Sequence, residues 1–260
     1  MQLKEIKNKF FMQNVETSQD ISYIFAIGEI DGNLTAAYAA VLEKEKQTGV
    51  CADWIITPGS TGIWPNSNSV DRATRSRGGN KEFEELLKNN WVAPRNTLFI
   101  SGAHEDHRWL DQRVLTGNTQ ILGNFWYLPN SCCASIGPSI TGLGKVYSPK
   151  VYKDKKRNKA LKYYTRNEVE KACSTGPVDM VLSHQGPSNT AFGKKVSNSE
   201  GIKPILFASR PKFLVHSGYD FSMVYNCMDT VCLSLAKMEI IIFKWDQMSK
   251  KLSLFYSNLR

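Results

Sequence analysis

The first hundred residues alternate short apolar runs, glycine turns and amphipathic stretches, and this alternation constrains the fold more than any other feature. The apolar runs at 21–27, 53–57 and 97–101 each end on a glycine-bearing turn, which is typical of buried strands. The stretches at 34–48 and 81–88 have helical periodicity and predict helices. We therefore predict an α/β layered sheet, with the turns gathered at the carboxyl ends of its strands, where such sheets bind ligands.

The second half of the chain is richer in predicted strands. Further runs with strand character lie at 125–128, 145–147, 178–183, 212–216, 231–235, 239–245 and 252–256. Between them the composition predicts a basic helical stretch at about 154–172 and a short helix at about 200–208. We expect an arm at 1–20 and one domain at 21–260, with a basic insertion at about 130–172.

Bulk properties limit the class of protein. No run of 18 apolar residues occurs, so no membrane span is expected. The first twenty residues are charged and lack an apolar region, which argues against a secretory signal. The six cysteines have no metal-binding spacing and are expected to be reduced thiols. These features together predict an intracellular, cytoplasmic protein.

Five glycine-bearing loops follow predicted strands and carry the functional prediction. They are Gly28-Glu29-Ile30-Asp31-Gly32-Asn33, Pro58-Gly59-Ser60-Thr61-Gly62-Ile63-Trp64-Pro65, Gly102-Ala103-His104-Glu105-Asp106-His107, Leu182-Ser183-His184-Gln185-Gly186-Pro187 and Val215-His216-Ser217-Gly218-Tyr219-Asp220. In order and spacing they resemble the signature blocks of the calcineurin-like metallophosphoesterases, over roughly residues 21–245. The flanking residues Gly62-Ile63-Trp64-Pro65, the glycine-rich segment 142–144 and Arg210-Pro211 are similar to those of a bacterial-type branch and of the RNA lariat debranching enzymes.

The resemblance implies a fold and a chemistry. The fold would be α/β, a four-layer α/β/β/α sandwich of two mixed sheets flanked by helices. Members of the family hold two divalent metals about 3.5–4 Å apart, which clamp the attacking and leaving oxygens of a phosphoester. An Asp carboxylate bridges the metals, and a His of the third block, here His104, acts on the leaving group.

Carried across residue by residue, the resemblance predicts that most metal ligands are replaced. Glu29 and Asp31 stand where the first block has Asp and His. Ser60 stands at the bridging Asp, and a neutral hydroxyl cannot supply the charge that two close dications need. Ala103 stands at the Asn ligand and has no donor atom.

The last two blocks leave one family ligand in place. His184 matches the lone His of the fourth block. The fifth block aligns in two ways, which put either Gly218 and Asp220 or Tyr219 and Phe221 at its two His positions. In the first alignment Gly218 is a lost ligand and Asp220 is a candidate replacement.

These replacements lead to two predictions for the site. We expect no cofactor, and a catalytically degenerate protein that acts as a non-catalytic binding or structural module, as one part of a protein assembly. The alternative is an impaired phosphoesterase for a phosphomonoester or phosphodiester, with a single Mg²⁺, Mn²⁺ or Ca²⁺ held by Glu29, Asp31, His184 and Asp220. Instead of binding a metal, Asp31 is expected to cap the following helix. His107 is expected to lie at the surface and His216 to serve packing.

A basic stretch offers a third prediction. The net charge is +9, and ten Lys or Arg against three Asp or Glu lie between Lys145 and Lys171. Tyrosines are interleaved there, as suits binding to nucleic acid or to another acidic partner. The candidate anion-binding residues are Lys155, Lys156, Arg157 and Lys159. The alternative is a solvated helix whose tyrosines pack on the core.

Overall fold

The protein is represented by a computed structural model that describes residues 20–75, 82–153, 161–192, 195–197 and 199–259. Its strands are β1 (Ile21–Ile27), β2 (Trp54–Thr57), β3 (Val92–Phe99), β4 (Gln120–Tyr127), β5 (Cys133–Ser135), β6 (Ser139–Leu143), β7 (Met180–Ser183), β8 (Ala191–Phe192), β9 (Lys195–Val196), β10 (Phe213–His216), β11 (Met223–Cys227), β12 (Thr230–Ser234), β13 (Ile240–Asp246) and β14 (Lys251–Tyr256). Its helices are α1 (Leu34–Thr48), α2 (Arg72–Arg75), α3 (Glu82–Lys88), α4 (His107–Leu115), α5 (Pro149–Lys153), α6 (Arg166–Cys173) and α7 (Ile202–Ser209), with a 3₁₀ turn at Ser67–Ser69.

Two six-stranded sheets form the centre of the molecule. The first has the order β14-β13-β1-β2-β3-β4 and the second the order β11-β12-β10-β7-β6-β5. In the first sheet β1 to β4 run parallel, while β13 pairs antiparallel with β1 and the edge strand β14 pairs antiparallel with β13. In the second sheet β12, β10, β7 and β6 run parallel, with antiparallel strands at both edges. The predicted pair of mixed sheets is therefore confirmed.

Three apolar clusters show how the layers stack. The central cluster joins residues of both sheets, such as Ile24 and Ile56 of the first and Leu182 and Val215 of the second. Because side chains alternate along a strand, neighbours such as Phe25 face outward and pack on the helices around α1. A third cluster lies between the second sheet and α6 and α7. These clusters give the α/β/β/α order that the resemblance predicts.

The helix α1 shows how local sequence sets an element. Leu34, Tyr38 and Val41 are buried at helical spacing and face the first sheet. Gly49 ends the helix in the left-handed conformation, with its amide donating to the Glu45 carbonyl. None of the helices in the described part of the chain is long and apolar enough to cross a membrane.

Several elements differ from the prediction. The strand predicted at 145–147 is wrong, because that segment contributes one isolated bridge between Val146 and Tyr163. The strands β5, β6 and β11 and the helix α4 were not predicted. Of the basic helix predicted at about 154–172, the structure shows α6, and residues 161–165 lie outside any helix. The rest of the predicted helix, at 154–160, falls outside the described residues. The stretch at about 130–172 supplies β5, β6 and α6, which belong to the second sheet and its helical cover.

Candidate functional site

The five glycine-bearing loops meet at one edge of the two sheets. The loops after β1, β2 and β3 lie side by side because these strands are parallel neighbours, and the loops after β7 and β10 do the same in the second sheet. The two sets are joined by Ser217, whose hydroxyl donates to the carbonyl of Pro58 at 3.2 Å. The convergence expected of these loops is therefore present.

The imidazole of His184 lies in the middle of this cleft and is packed against glycine backbone. His184 is 4% exposed, and its Nδ1 lies 3.3 Å from the Ser217 hydroxyl. A Cβ atom added at Gly59 would lie 3.1 Å from His184 Nδ1, and one added at Gly102 would lie 2.9 Å from His184 Cε1. Gly218 lies against the His184 carbonyl, since a Cβ there would be 2.8 Å from that oxygen. The ring thus occupies the space between three loops.

Ser60, which the resemblance aligns with the bridging carboxylate of the family, contributes a buried hydroxyl. The residue is fully buried, and within the described part of the chain its Oγ has no hydrogen-bond partner. Its backbone adopts a left-handed conformation with φ of 53°, and its carbonyl accepts the amide of Asp31 at 2.7 Å. A Cβ at Gly102 would lie 2.8 Å from Ser60 Oγ, so the hydroxyl has little room around it.

Asp31 forms an ion pair with Lys237. Its carboxylate Oδ2 lies 3.2 Å from Nζ of Lys237, and the Asp31 side chain is 3% exposed. Lys237 follows β12 and reaches the same edge of the sheets. The amides of Leu34 and Thr35 at the start of α1 donate to the carboxylate of Glu82, so the capping role expected of Asp31 falls to Glu82.

In the loop after β3, Glu105 accepts backbone hydrogen bonds, and His104 lies against Thr74 of α2. The carboxylate of Glu105 accepts the amides of Thr61 at 2.6 Å and Gly102 at 2.8 Å. Burial raises the pKa of Glu105 to about 7, although these backbone hydrogen bonds oppose the rise. His104 Nδ1 lies 3.0 Å from the hydroxyl of Thr74, and Ala103 adds only a methyl group.

The remaining predicted ligands stand apart from a metal-binding group. Glu29 is half-buried and Asp220 is exposed. Across the residues that the structure describes, no three His, Cys, Asp or Glu side chains lie close enough together to hold a metal ion. The described donor set therefore does not fit a pair of dications, which would require an anion between them.

Two histidines outside the predicted ligand set are buried. The expectation that His107 lies at the surface is wrong: it begins α4, behind the capping carboxylate of Asp106, and is 7% exposed. In the described structure neither ring nitrogen of His107 has a partner, and burial lowers its pKa to about 3. His216 packs in the core, as expected, and its Nε2 lies 2.7 Å from the hydroxyl of Tyr225.

Sequence reasoning missed Lys237 and the central position of the His184 ring. The signal for Lys237 was its place between the predicted strands at 231–235 and 239–245. A lysine on a loop after a strand parallel to β10 comes out at the carboxyl edge, where the acidic loop residues lie.

The interleaved tyrosines of the basic stretch pack on one another. Tyr147, Tyr152 and Tyr164 have ring centroids 5.5 to 6.0 Å apart and lie against the cluster of α6 and α7. The predicted anion-binding residues Lys155, Lys156, Arg157 and Lys159 lie outside the described residues. Binding of an acidic partner through this stretch stays a prediction.

Comparisons with known proteins give matches at the level of structure. No family model matches the chain, and no curated protein matches it in sequence. The solved structure of TT1561 from Thermus thermophilus is similar over 90% of this chain and 98% of its own, at 13% identity and a TM-score of 0.54. GAP50, described as the anchor in the inner membrane complex of Plasmodium, is similar over 92% of this chain and 89% of its own, at 10% identity and a TM-score of 0.52. At such identities the likeness concerns the fold alone.

Proposed function

We propose that this chain, whose fold is that of the metallophosphoesterases, acts as a non-catalytic binding or structural module within a protein assembly. The proposal concerns the cleft at the carboxyl ends of the strands, where enzymes of this fold bind their metals and phosphoester. In this chain the cleft serves to hold the two sheets together, and binding takes place elsewhere on the surface.

One observation carries the proposal: the place of the bridging carboxylate is taken by the buried, neutral hydroxyl of Ser60. Two dications about 4 Å apart repel each other strongly in a site of low dielectric constant, and only a shared anion offsets that repulsion. The surroundings support the same conclusion. Lys237 holds Asp31 with an ammonium group, and the ring of His184 fills the space between Gly59 and Gly102.

The fold itself is compatible with such a role. GAP50, which has a similar architecture, is described as the anchor in the inner membrane complex of Plasmodium. That description supports the idea that this architecture can serve in assembly. The identity of 10% means that the partner of this chain has to be found independently.

The proposal is tested by restoring the lost ligands. Wild-type protein and the variant Ser60→Asp with Ala103→Asn are compared for Mn²⁺ binding and for hydrolysis of an aryl phosphodiester. We expect no turnover by the wild type above the rate without protein. The restored variant should be less stable than the wild type without metal, because it buries an uncompensated carboxylate, and Mn²⁺ should recover stability.

The matched control is Ser60→Asn with Ala103→Asn, which adds the same volume without the charge. Stabilisation by Mn²⁺ that is equal in the Asp and Asn variants would show that position 60 does not govern metal binding. Metal-dependent hydrolysis by the wild type, lost on His104→Ala, would contradict the proposed function directly.

A further inference from the structure

A groove lies at the end of the second sheet that is opposite to the cleft. It has a volume of about 440 Å³ and runs between the last turn of α7 and the hairpin that joins β11 to β12. Its lining includes Phe207, Arg210, Lys212, Met228 and Asp229. The segments 210–212 and 228–229 precede β10 and β12, whereas the cleft follows β7 and β10, so a strand of four residues, about 13 Å, separates the two sites.

Two large apolar side chains stand on this groove in contact with solvent. Phe207 is 70% exposed and Met228 is 52% exposed, and both line the same groove. The floor is made by Leu206, Pro211 and Thr230, which are buried. Aromatic residues, Met and Arg are enriched in protein interfaces, and neighbouring exposed apolar groups on a rigid element are typical of a docking site.

The backbone holds two rim residues in a conformation that usually calls for glycine. Arg210 ends α7 with φ of 45°, and Met228 opens the two-residue hairpin loop with φ of 57°. Helix ends and tight hairpins usually place Gly or Asn at such positions, because a Cβ is crowded there. At positions 210 and 228 of the rim the chain therefore has a guanidinium and a thioether, although glycine or asparagine would adopt the left-handed conformation with less strain.

The charge on the rim favours an acidic occupant. Among the residues that the structure describes, no side chain pairs with the Arg210 guanidinium, which is exposed. Lys212 is exposed as well, and its Nζ donates to the carbonyl of Leu252 at 2.7 Å. Asp229 is the one carboxylate of the described lining, and it would repel a continuous phosphate backbone. A single carboxylate beside an apolar side chain can instead pair with Arg210 and avoid Asp229.

We propose that this groove docks an acidic segment of a partner protein, with one large apolar side chain between Phe207 and Met228 and a carboxylate on Arg210. Phe207 and Met228 remove the apolar side chain from water, and Arg210 fixes the direction of the segment through a charge-assisted hydrogen bond. This inference goes beyond the proposed function and does not depend on the loss of the metal site, because no groove residue belongs to the cleft.

The test uses a peptide array and the chain of 260 residues. The array varies one central position among Leu, Phe and Ser, and varies the flanking positions among Glu, Ser and Lys. We expect the strongest binding for peptides with an apolar centre and Glu flanks, and at least about tenfold weaker binding for Ser centres or Lys flanks. The same pattern should be measured in solution by fluorescence anisotropy with the best labelled peptide.

Three variants separate docking from folding. Phe207→Ser and Arg210→Gly should each weaken the peptide about tenfold or more, while Leu115→Ser, at a residue that is 85% exposed on α4, should leave affinity unchanged. Arg210→Gly suits the left-handed backbone and should raise thermal stability, so weaker binding by this variant cannot come from unfolding.

The proposal is overturned if no peptide binds, if basic or neutral peptides bind best, or if Phe207→Ser binds as the wild type does. It is also overturned if sedimentation shows a dimer of the chain that Phe207→Ser dissociates, since the occupant is then a second copy. Binding of single-stranded DNA that Arg210→Gly abolishes, without peptide binding, would assign the groove to nucleic acid instead.

Discussion

At the scale of single residues, an ion pair within the chain balances the buried charge of the cleft. The ammonium of Lys237 lies 3.2 Å from the carboxylate of Asp31, which is 3% exposed. Burying a carboxylate is unfavourable unless a cation or hydrogen-bond donors accompany it. A lysine side chain thus balances the charge of Asp31, at a loop position that the resemblance aligns with a metal ligand.

Replacing Lys237 by Met tests the importance of this pair. We expect the free energy of unfolding to fall by about 1–2 kcal/mol, less than for a fully buried pair because Lys237 is 47% exposed. Urea denaturation measures the change. Lys237→Met with Asp31→Asn should recover most of the loss, and an unchanged free energy for the single variant would show that the pair contributes nothing.

Glu105 should make stability depend on pH in a recognisable way. Burial raises its pKa in the folded chain to about 7 from about 4.5, so the folded state binds a proton that the unfolded state has released between these values. The stabilisation of the folded state by this bound proton is therefore complete below pH 4.5 and is lost as the pH rises through 7. The difference of about 2.5 in pKa corresponds to about 3 kcal/mol.

Glu105→Gln should remove this contribution. His107 and His216, whose pKa values burial lowers to about 3, act in the opposite sense because their neutral forms are lost as the pH falls. The informative quantity is the difference between variant and wild type, measured by denaturation at pH 5, 6, 7 and 8. The free energy of unfolding of Glu105→Gln should increase relative to that of the wild type as the pH rises. If the two free energies change with pH in parallel, Glu105 does not have a raised pKa.

At the scale of loops and strands, glycines allow the five loops to meet. A Cβ at Gly102 would lie 2.2 Å from the Ser60 amide nitrogen and 2.9 Å from His184 Cε1. Both neighbours are fixed, the first by its backbone and the second by its burial. The contact between the loops after β2 and β3 therefore leaves no space for a side chain.

Gly102→Ala should accordingly lower the free energy of unfolding by about 3 kcal/mol, in the range of overpacked cores. Gly117→Ala is the control. That glycine has φ of 71° and no atom within 4 Å of an added Cβ. Gly117→Ala should therefore lower the free energy of unfolding only by the backbone strain, about 1 kcal/mol. Equal losses in thermal melting of the two variants would mean that crowding at Gly102 is not the cause.

Elements set by local sequence could be predicted, and those set by distant contacts could not. The strand β1 and the helix α1 follow from apolar spacing and from Gly49, which are visible in the sequence. The short strands β5 and β6 contain small and polar residues. They are defined by the pairing of β5 with β6 and of β6 with β7. The helix α4 is polar at most of its positions, which hides it from a search for apolar spacing.

The same distinction holds in the cleft. The loops were visible in the sequence from their order and spacing, and the resemblance to the metallophosphoesterases pointed to His184 and Ser60. The pair of Asp31 with Lys237 joins residues 206 positions apart, and Glu82 reaches across 48 positions to cap α1. Such partners are chosen by the folded chain, so a linear pattern assigned the cap to the nearer carboxylate.

At the scale of the whole molecule, the net charge of +9 raises the question of an acidic partner. The segment between Lys145 and Lys171 carries most of the excess, with ten basic and three acidic residues. If this segment binds nucleic acid, reversal of Lys155, Lys156, Arg157 and Lys159 to Glu should weaken binding of single-stranded DNA and flatten its dependence on salt. Filter binding between about 50 and 200 mM salt measures both effects, and an unchanged affinity would exclude the segment.

The proposed loss of the metal centre depends on the absence of a charge between two metal positions, and metal stoichiometry tests this most directly. The wild-type chain of 260 residues is dialysed to equilibrium against Mn²⁺, and bound metal is measured by elemental analysis. We expect no stoichiometric metal on the wild type. Two tightly held equivalents per chain, lost when His184 is replaced by Ala, would contradict it.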